Sequence, residues 1–153
     1  MATFAHFIYL FGLVFWVGSI IFFSFFTAPA LFKTLDRSYA GDVIEAIFPK
    51  YYFIGYLCSA LLLVTLLLMA PELPRAKLGL LAVMAVGTYY TGLFINPKVS
   101  VLKEEIKSTK KKNEKKTIEK KFKSLHSLAV KMNAAVLLAG LGLLWLTAKG
   151  LTL

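Results

Sequence analysis

The sequence has very little of the residue chemistry that most enzymes and metal proteins use. It contains one cysteine, two histidines and eight acidic residues, against 18 basic ones. A single cysteine excludes an internal disulfide, and no Cys or His motif has metal-ligand spacing. The chain also lacks a phosphate-binding glycine loop, paired carboxylates within an apolar run and a recognisable nucleophile–base pair. These absences favour a protein that is not an enzyme.

Long apolar runs dominate what is present. The mean hydropathy is +0.70 even with all basic residues included, which excludes an ordinary soluble domain. Each run is near the roughly 20 residues that a helix needs to cross the membrane hydrocarbon. The sequence therefore predicts an all-α integral membrane protein, a single domain (residues 1–153) built as a bundle of four transmembrane helices. The predicted spans are about 4–28, 51–70, 78–96 and 125–148.

The distribution of basic residues predicts how this bundle is oriented. Fourteen lysines and arginines lie in segments 29–50 and 97–124, and three lie on the opposite side with both termini. Because loops rich in basic residues stay in the cytoplasm, we expect segments 29–50 and 97–124 to be cytoplasmic. Both termini then face outward, and the expected location is the cell inner (plasma) membrane.

A lysine-rich segment, residues 99–124, separates the last two spans. Its apolar residues recur at helical spacing, so we expect helices 3 and 4 to extend into a basic cytoplasmic hairpin with its tip near 110–113. The lysines between 103 and 123 have two possible roles: they fix topology, which is the favoured interpretation, or they bind anionic lipids. We expect no nucleic-acid binding, because Phe122 is the one aromatic residue in this segment.

The segment before the second span has its own apolar pattern. Val43, Ile44, Ile47 and Phe48 lie on one side of a helix and predict a short amphipathic helix at the membrane interface. Pro49 is then expected at the first turn of the second transmembrane helix, where proline is tolerated.

Polar and proline residues gather at the end of the predicted bundle nearest the basic hairpin. His126 and Asn133 are seven residues apart, so they lie on one helical face that is expected to point inward. Pro97 removes the backbone donor for the carbonyl of Leu93, which then needs another partner. The predicted ligand-binding residues are His126, Asn133, Tyr52, Tyr56, Asn96, Pro97 and Pro49.

These residues leave several functions open. The first is a ligand-binding, ion-binding or transport-accessory protein, and the second is a cluster that only packs helices together. A haem- or copper-binding redox protein is an alternative in which His6 and His126 are the candidate ligands, although the topology separates them by about 30 Å. The remaining alternative is a structural subunit of a larger complex. Glycines such as Gly12, Gly18 and Gly87 would also permit a homo-oligomer.

Several of the same stretches resemble a known family. They are Trp16–Val17–Gly18, Phe48–Pro49–Lys50–Tyr51–Tyr52, Asn96–Pro97–Lys98, and Phe122 to His126 followed by Asn133. They are similar to small bacterial four-helix membrane proteins with a transmembrane protein 205-like domain. That resemblance implies the four-helix fold and a place in the membrane, and a eukaryotic relative linked to drug resistance and secretion points toward export or trafficking. His6 with Trp16–Val17–Gly18 is more distantly similar to copper-resistance membrane proteins and to a haem-carrying protoporphyrinogen oxidase, whose additional histidines this chain lacks.

Overall fold

The computed structural model describes residues 2–69 and 75–150, and nearly all of them are helical. The helices are α1 (Ala2–Ile21), α2 (Ala28–Thr34), α3 (Arg37–Met69), α4 (Arg75–Tyr90), α5 (Asn96–Ser108) and α6 (Lys112–Ala148). Two π-helical segments, Phe22–Thr27 and Thr91–Ile95, join α1 to α2 and α4 to α5 without a break. The end of the predicted second span at residue 70, and the turn after it, lie outside the described residues.

Four continuous helices are long and apolar enough to cross a membrane. They are numbered here as transmembrane helices 1 to 4: Thr3–Thr34, Arg37–Leu68, Arg75–Ser108 and Lys112–Ala148. With 32 to 37 residues, each is about 48–56 Å long at 1.5 Å per residue, more than the roughly 30 Å of hydrocarbon. The predicted all-α membrane protein with a four-helix bundle is confirmed. Transmembrane helices 3 and 4 continue into a hairpin whose tip is residues 109–111.

The core of the bundle receives a large side chain from every transmembrane helix. Leu13, Leu62, Met84 and Leu143 come from transmembrane helices 1 to 4 in turn, and each is 0% exposed. The outer surface is also apolar, for example along exposed phenylalanines of α1 that stack at spacings of 6.1 and 5.9 Å. An apolar exterior around an apolar core is what a helix bundle surrounded by lipid requires.

Two glycines let transmembrane helix 4 approach its neighbours closely. A Cβ added at Gly87 would lie 2.6 Å from Val136, and one added at Gly140 would lie 2.6 Å from Val17. Both distances are too short for real atoms, so a larger residue would force the helices apart. The glycines therefore fix where α6 contacts α4 and α1 along its length.

The segment before the second span is not a separate interfacial helix. Instead, α3 runs without interruption through Pro49, which lies inside the helix rather than at its first turn. The missing N–H of Pro49 removes one backbone hydrogen bond, to the carbonyl of Glu45. The helix before the proline is nevertheless held, because Lys103 lies 2.6 Å from Asp42 and 2.8 Å from Glu45. Ala40 and Ile44 of the same stretch are also buried, so packing and ion pairs together hold the helix through the proline.

Candidate functional site

Asn133 connects three of the four transmembrane helices through its side-chain amide. The Tyr51 hydroxyl donates a hydrogen bond to Asn133 Oδ1 at 2.5 Å, and Asn133 Nδ2 donates to Ser24 Oγ at 3.1 Å. Ser24, Tyr51 and Asn133 are called the asparagine network below. All three side chains are half-buried among apolar residues, where an unpaired amide would be costly. The network therefore satisfies the one asparagine of transmembrane helix 4 that lies within its apolar run.

Ser24 owes its position to the first π-helical segment. The N–H of Ala28 donates to the carbonyl of Phe23, five residues back, and the next residue, Pro29, has no N–H. Among the described residues, the carbonyl of Ser24 therefore receives no helix donor from either four or five residues on. In this π turn Ser24 therefore offers two hydrogen-bond acceptors, its hydroxyl oxygen and its carbonyl oxygen.

The second π-helical segment repeats this arrangement in transmembrane helix 3. The N–H of Asn96 donates to the carbonyl of Thr91, and Pro97 follows. The described backbone consequently offers the carbonyl of Gly92 no helix donor four or five residues on. The sequence predicts the loss of a helix donor for the carbonyl of Leu93, and the π turn extends that loss to the carbonyl of Gly92, one residue earlier. Single π turns of this kind recur at functional sites.

A small cavity lies beside the asparagine network. Its polar lining comes from Ser19, Tyr51, Tyr52, Thr88, Thr91 and Asn133. The cavity volume is about 10 Å³, which is close to the space that one water molecule needs. Every transmembrane helix contributes a polar residue to it. The site is therefore a polar, water-sized space inside an apolar bundle.

Aromatic rings pack together around Tyr51 and Tyr52, which line the cavity. Tyr51 packs at 5.0 Å from the ring of Phe23, and its ring is also 5.3 Å from that of Tyr52. The Tyr56 hydroxyl and the Tyr52 ring both lie against Gly92, where any side chain would collide with them. Gly92 thus lets two tyrosines of α3 reach the second π-helical segment.

The structure brings only some of the predicted site residues together. Asn133 and Tyr52 both line the cavity, and Tyr56 stacks on Tyr89 at 4.5 Å between ring centres. Asn96 is half-buried immediately after the second π-helical segment, while Pro49 is exposed on α3 and Pro97 on α5. Neither proline lines the cavity.

His126 differs from its predicted inward orientation. Its side chain is exposed and stacks on Phe122, one turn earlier on α6, at 5.8 Å. Asn133 and Gly140 on the same face are progressively more buried. The reason is that the residues just before His126 face α5 across an open groove, while α6 meets α1 further along, at Gly140 and Val17. The face of α6 that is buried at Gly140 is therefore exposed to the surroundings at His126.

The two histidines lie at opposite ends of the molecule. Ser24 faces Asn133 and Val17 faces Gly140, so residues of the antiparallel transmembrane helices 1 and 4 pair in a regular register. In this register His126 lies level with Leu31, 25 residues from His6, or about 37 Å at 1.5 Å per residue. One ion or haem iron within a single chain cannot join them. The described residues also contain no group of three or more His, Cys, Asp or Glu that could hold a metal.

Sequence reasoning missed five of the residues that build the site. Tyr51 rather than Tyr52 bonds to Asn133, and Ser19, Ser24, Thr88 and Thr91 were not singled out. A signal was present, since hydroxyl residues at Thr88 and Thr91 lie three apart in an otherwise apolar span. Ser24 stands five residues before a proline, as Gly92 does.

A comparison with known protein families identifies the family of this chain. A family model described as a domain of unknown function, DUF4149, matches residues 11–108, well over half of the chain. The chain belongs to the DUF4149 family. The DUF4149 match contains most of transmembrane helices 1 to 3, with Ser24, Tyr51 and both π-helical segments, whereas Asn133 lies after it.

One relative of this DUF4149 protein extends the comparison to a named organism. An uncharacterized protein of Aquifex aeolicus (strain VF5) is 51% identical over 43 residues, or 28% of this chain and 33% of that protein. The chain thus spans about a third of the length of that relative. No solved structure matches.

Proposed function

We propose that this DUF4149 protein binds a small polar ligand or ion in the cavity beside the asparagine network. The observation that carries the proposal is the polar lining of that cavity, to which all four transmembrane helices contribute. Helix packing alone requires paired polar groups, but it does not require a polar-lined space beside them. The proposal includes a binding role in transport or as a transport accessory. The resemblance to transmembrane protein 205-like proteins is consistent with that role.

The available groups limit which ligands fit. The lining hydroxyls of Ser19 and Thr91 already donate to backbone carbonyls, so toward the cavity they offer oxygen acceptors. Oxygen acceptors without a charged side chain suit a monovalent cation or a neutral hydrogen-bonding molecule. The volume of about 10 Å³ restricts either one to roughly the size of water.

A matched pair of threonine variants tests the proposal. Thr91 lines the cavity and Thr65 does not, yet both are buried and both hydroxyls donate to the carbonyl four residues earlier. Sodium, potassium and ammonium chloride are titrated into the detergent-purified protein while its thermal unfolding is followed. A ligand that binds the folded state raises the Tm. We expect one cation to raise it saturably in the parent and in Thr65→Val, and the rise to vanish in Thr91→Val.

The alternative, a cluster that only packs helices, gives a different result. Both variants then lower the Tm by similar amounts, and no salt changes the Tm beyond the effect of ionic strength. That outcome would remove the binding proposal and leave the asparagine network as a packing feature.

The orientation is proposed separately. Fourteen basic residues on the hairpin side against three on the other support cytoplasmic segments 29–50 and 97–124 with both termini outside. On this proposal the cavity lies in the cytoplasmic half of the inner membrane, because its lining reaches from Gly87 and Val136, near the middle of their spans, to Tyr51.

A further inference from the structure

A wide groove lies between the extended parts of transmembrane helices 3 and 4, away from the cavity. Lys98, Val101 and Leu102 of α5 face Lys121, Ser124 and Leu125 of α6 across it. These six residues and Pro97 define the outer groove. Its volume of about 550 Å³ is in the range of small-molecule sites.

The outer groove lies at the depth of lipid headgroups. The apolar run of transmembrane helix 3 ends at Ile95, and Lys98 to Leu102 follow within the next seven residues. At 1.5 Å per residue this is about 5–10 Å past the hydrocarbon boundary. The headgroup layer on each side of a membrane is about 5–7 Å thick. The groove therefore faces the region where phosphate groups and glycerol backbones lie.

The charges of the outer groove are of one sign. Lys98 and Lys121 are both exposed, and neither takes part in the ion pairs found among the described residues. By contrast, Lys103 and Lys107 are already paired with carboxylates of α3 and α5. Two unpaired ammonium groups beside one groove leave a positive site that an anion can complement.

The base of the outer groove is apolar. Leu102 and Leu125 are half-buried there, and Val101 is 58% exposed. The exposed Ser124 adds one hydroxyl beside the lysines. A free inorganic anion would use the lysines but leave this apolar base uncovered. A molecule with an anionic group joined to an apolar part uses both.

We propose that the outer groove binds the headgroup of an anionic phospholipid, with its phosphate between Lys98 and Lys121. The upper part of the lipid covers Val101 and Leu125. This site is more specific than a general attraction of the 103–123 lysines for anionic lipids, because Lys121 is the only lysine of that segment that lines the groove. The proposal does not depend on the function proposed for the cavity.

The test compares two lipids on the full-length protein. Binding of phosphatidylglycerol and of phosphatidylcholine with the same acyl chains is measured by native mass spectrometry in detergent. We expect phosphatidylglycerol to bind more tightly. The double variant Lys98→Gln/Lys121→Gln should lower phosphatidylglycerol affinity by about 10- to 30-fold, since each lysine near a membrane surface adds several-fold to anionic-lipid binding. The affinity for phosphatidylcholine should change little.

A matched control removes the same charge elsewhere on α6. Lys116→Gln/Lys120→Gln replaces two exposed lysines that do not line the outer groove, and should retain the preference for phosphatidylglycerol. A third variant, Val101→Trp, fills the groove from an exposed position without touching the core. It should weaken the binding of both lipids.

Three results would overturn the proposal. An equal loss in both lysine double variants would mean a diffuse charge effect without a site. Equal affinity for the two lipids in the parent would mean no anion selectivity. Displacement of the lipid by inorganic phosphate at matching concentration, with Val101→Trp without effect, would mean a free-anion site.

Discussion

Asn133 makes two hydrogen bonds inside a largely apolar bundle, and the surrounding membrane determines how much free energy they contribute. An interhelical hydrogen bond in a membrane protein contributes about 0.6–2 kcal/mol, less than the cost of an amide left wholly unpaired. Tyr51 and Ser24 therefore act mainly by preventing that cost. The network stabilises one arrangement of transmembrane helices 1, 2 and 4.

Removing the Tyr51 hydroxyl tests this residue-scale account. Tyr51→Phe keeps the ring packed on Phe23 and deletes the donor to Asn133. We expect the free energy of unfolding to fall by about 1–2 kcal/mol, measured by unfolding in detergent. Tyr90→Phe is the control, because Tyr90 is 47% exposed and should change stability by less than about 0.5 kcal/mol. Equal effects of the two substitutions would show that the hydrogen bond contributes nothing.

His126 provides the opposite prediction. Its side chain is exposed and contacts Phe122 on its own helix, so His126→Ala should leave the Tm and any cation-dependent rise in Tm unchanged. A loss of the cation-dependent rise in this variant would place His126 in the site after all. The measurement is the same thermal titration that compares Thr91→Val with Thr65→Val.

Residue identity at the site was only partly predictable from the sequence. The inward-facing Asn133 follows from its place on a helical face with Gly140, because that face is buried. The choice between Tyr51 and Tyr52 does not follow, since adjacent helical residues point about 100° apart and both can reach neighbours. Which of them meets Asn133 depends on how far α3 is rotated against α6, and local spacing carries no such information.

Prolines and glycines, more than helix capping, determine where the helices of this fold change geometry and where they approach one another. Pro29 and Pro97 each follow a π-helical segment, whereas Pro49 stands inside the unbroken α3. The sequence correctly indicates disturbed backbone pairing before Pro97 but wrongly predicts a helix boundary at Pro49. The difference lies in tertiary contacts, because Lys103 holds the first part of α3 through Asp42 and Glu45.

Close helix approach at Gly87 gives an element-scale prediction. Gly87→Ala would place a methyl group 2.6 Å from the stiff, β-branched Val136. We expect a loss of about 1–3 kcal/mol in unfolding free energy, since overpacking pushes α4 and α6 apart. Thermal unfolding of the purified protein measures it.

Gly79 is the matched control on the same helix, because a Cβ there meets nothing within 4 Å. Gly79→Ala should be neutral or stabilise by up to about 1 kcal/mol through helix propensity. Equal destabilisation by the two substitutions would contradict the close contact.

The whole molecule combines an apolar bundle with a strongly basic end. The number of helices, the all-α class and the hairpin were predictable from the sequence. A long apolar run in a membrane must form a helix, because a helix satisfies its own backbone hydrogen bonds. The cavity was not predictable, because its walls come from four helices whose relative rotation and tilt arise from packing. All four helices are longer than the hydrocarbon requires, and the sequence predicts this extra length only for transmembrane helices 3 and 4.

Orientation is a prediction at this scale. In a Cys58→Ala background, a cysteine replaces Lys110 at the hairpin tip or Gly150 near the end of the chain, and cells are treated with a membrane-impermeant maleimide. We expect Gly150→Cys to react in intact cells and Lys110→Cys to react only after permeabilisation, because basic segments remain cytoplasmic. The reverse pattern would invert the proposed topology.

The most direct test of the cavity as a binding site is the fluorescence of Trp16, which lines the cavity and is 2% exposed. The second tryptophan, Trp145, is 65% exposed and is replaced by phenylalanine so that Trp16 alone reports. Sodium, potassium and ammonium chloride are then titrated. The account predicts that one cation changes Trp16 emission saturably, over the concentrations that raise the Tm, and that Thr91→Val abolishes the change. Emission that no salt alters, or a change that persists in Thr91→Val, would contradict it.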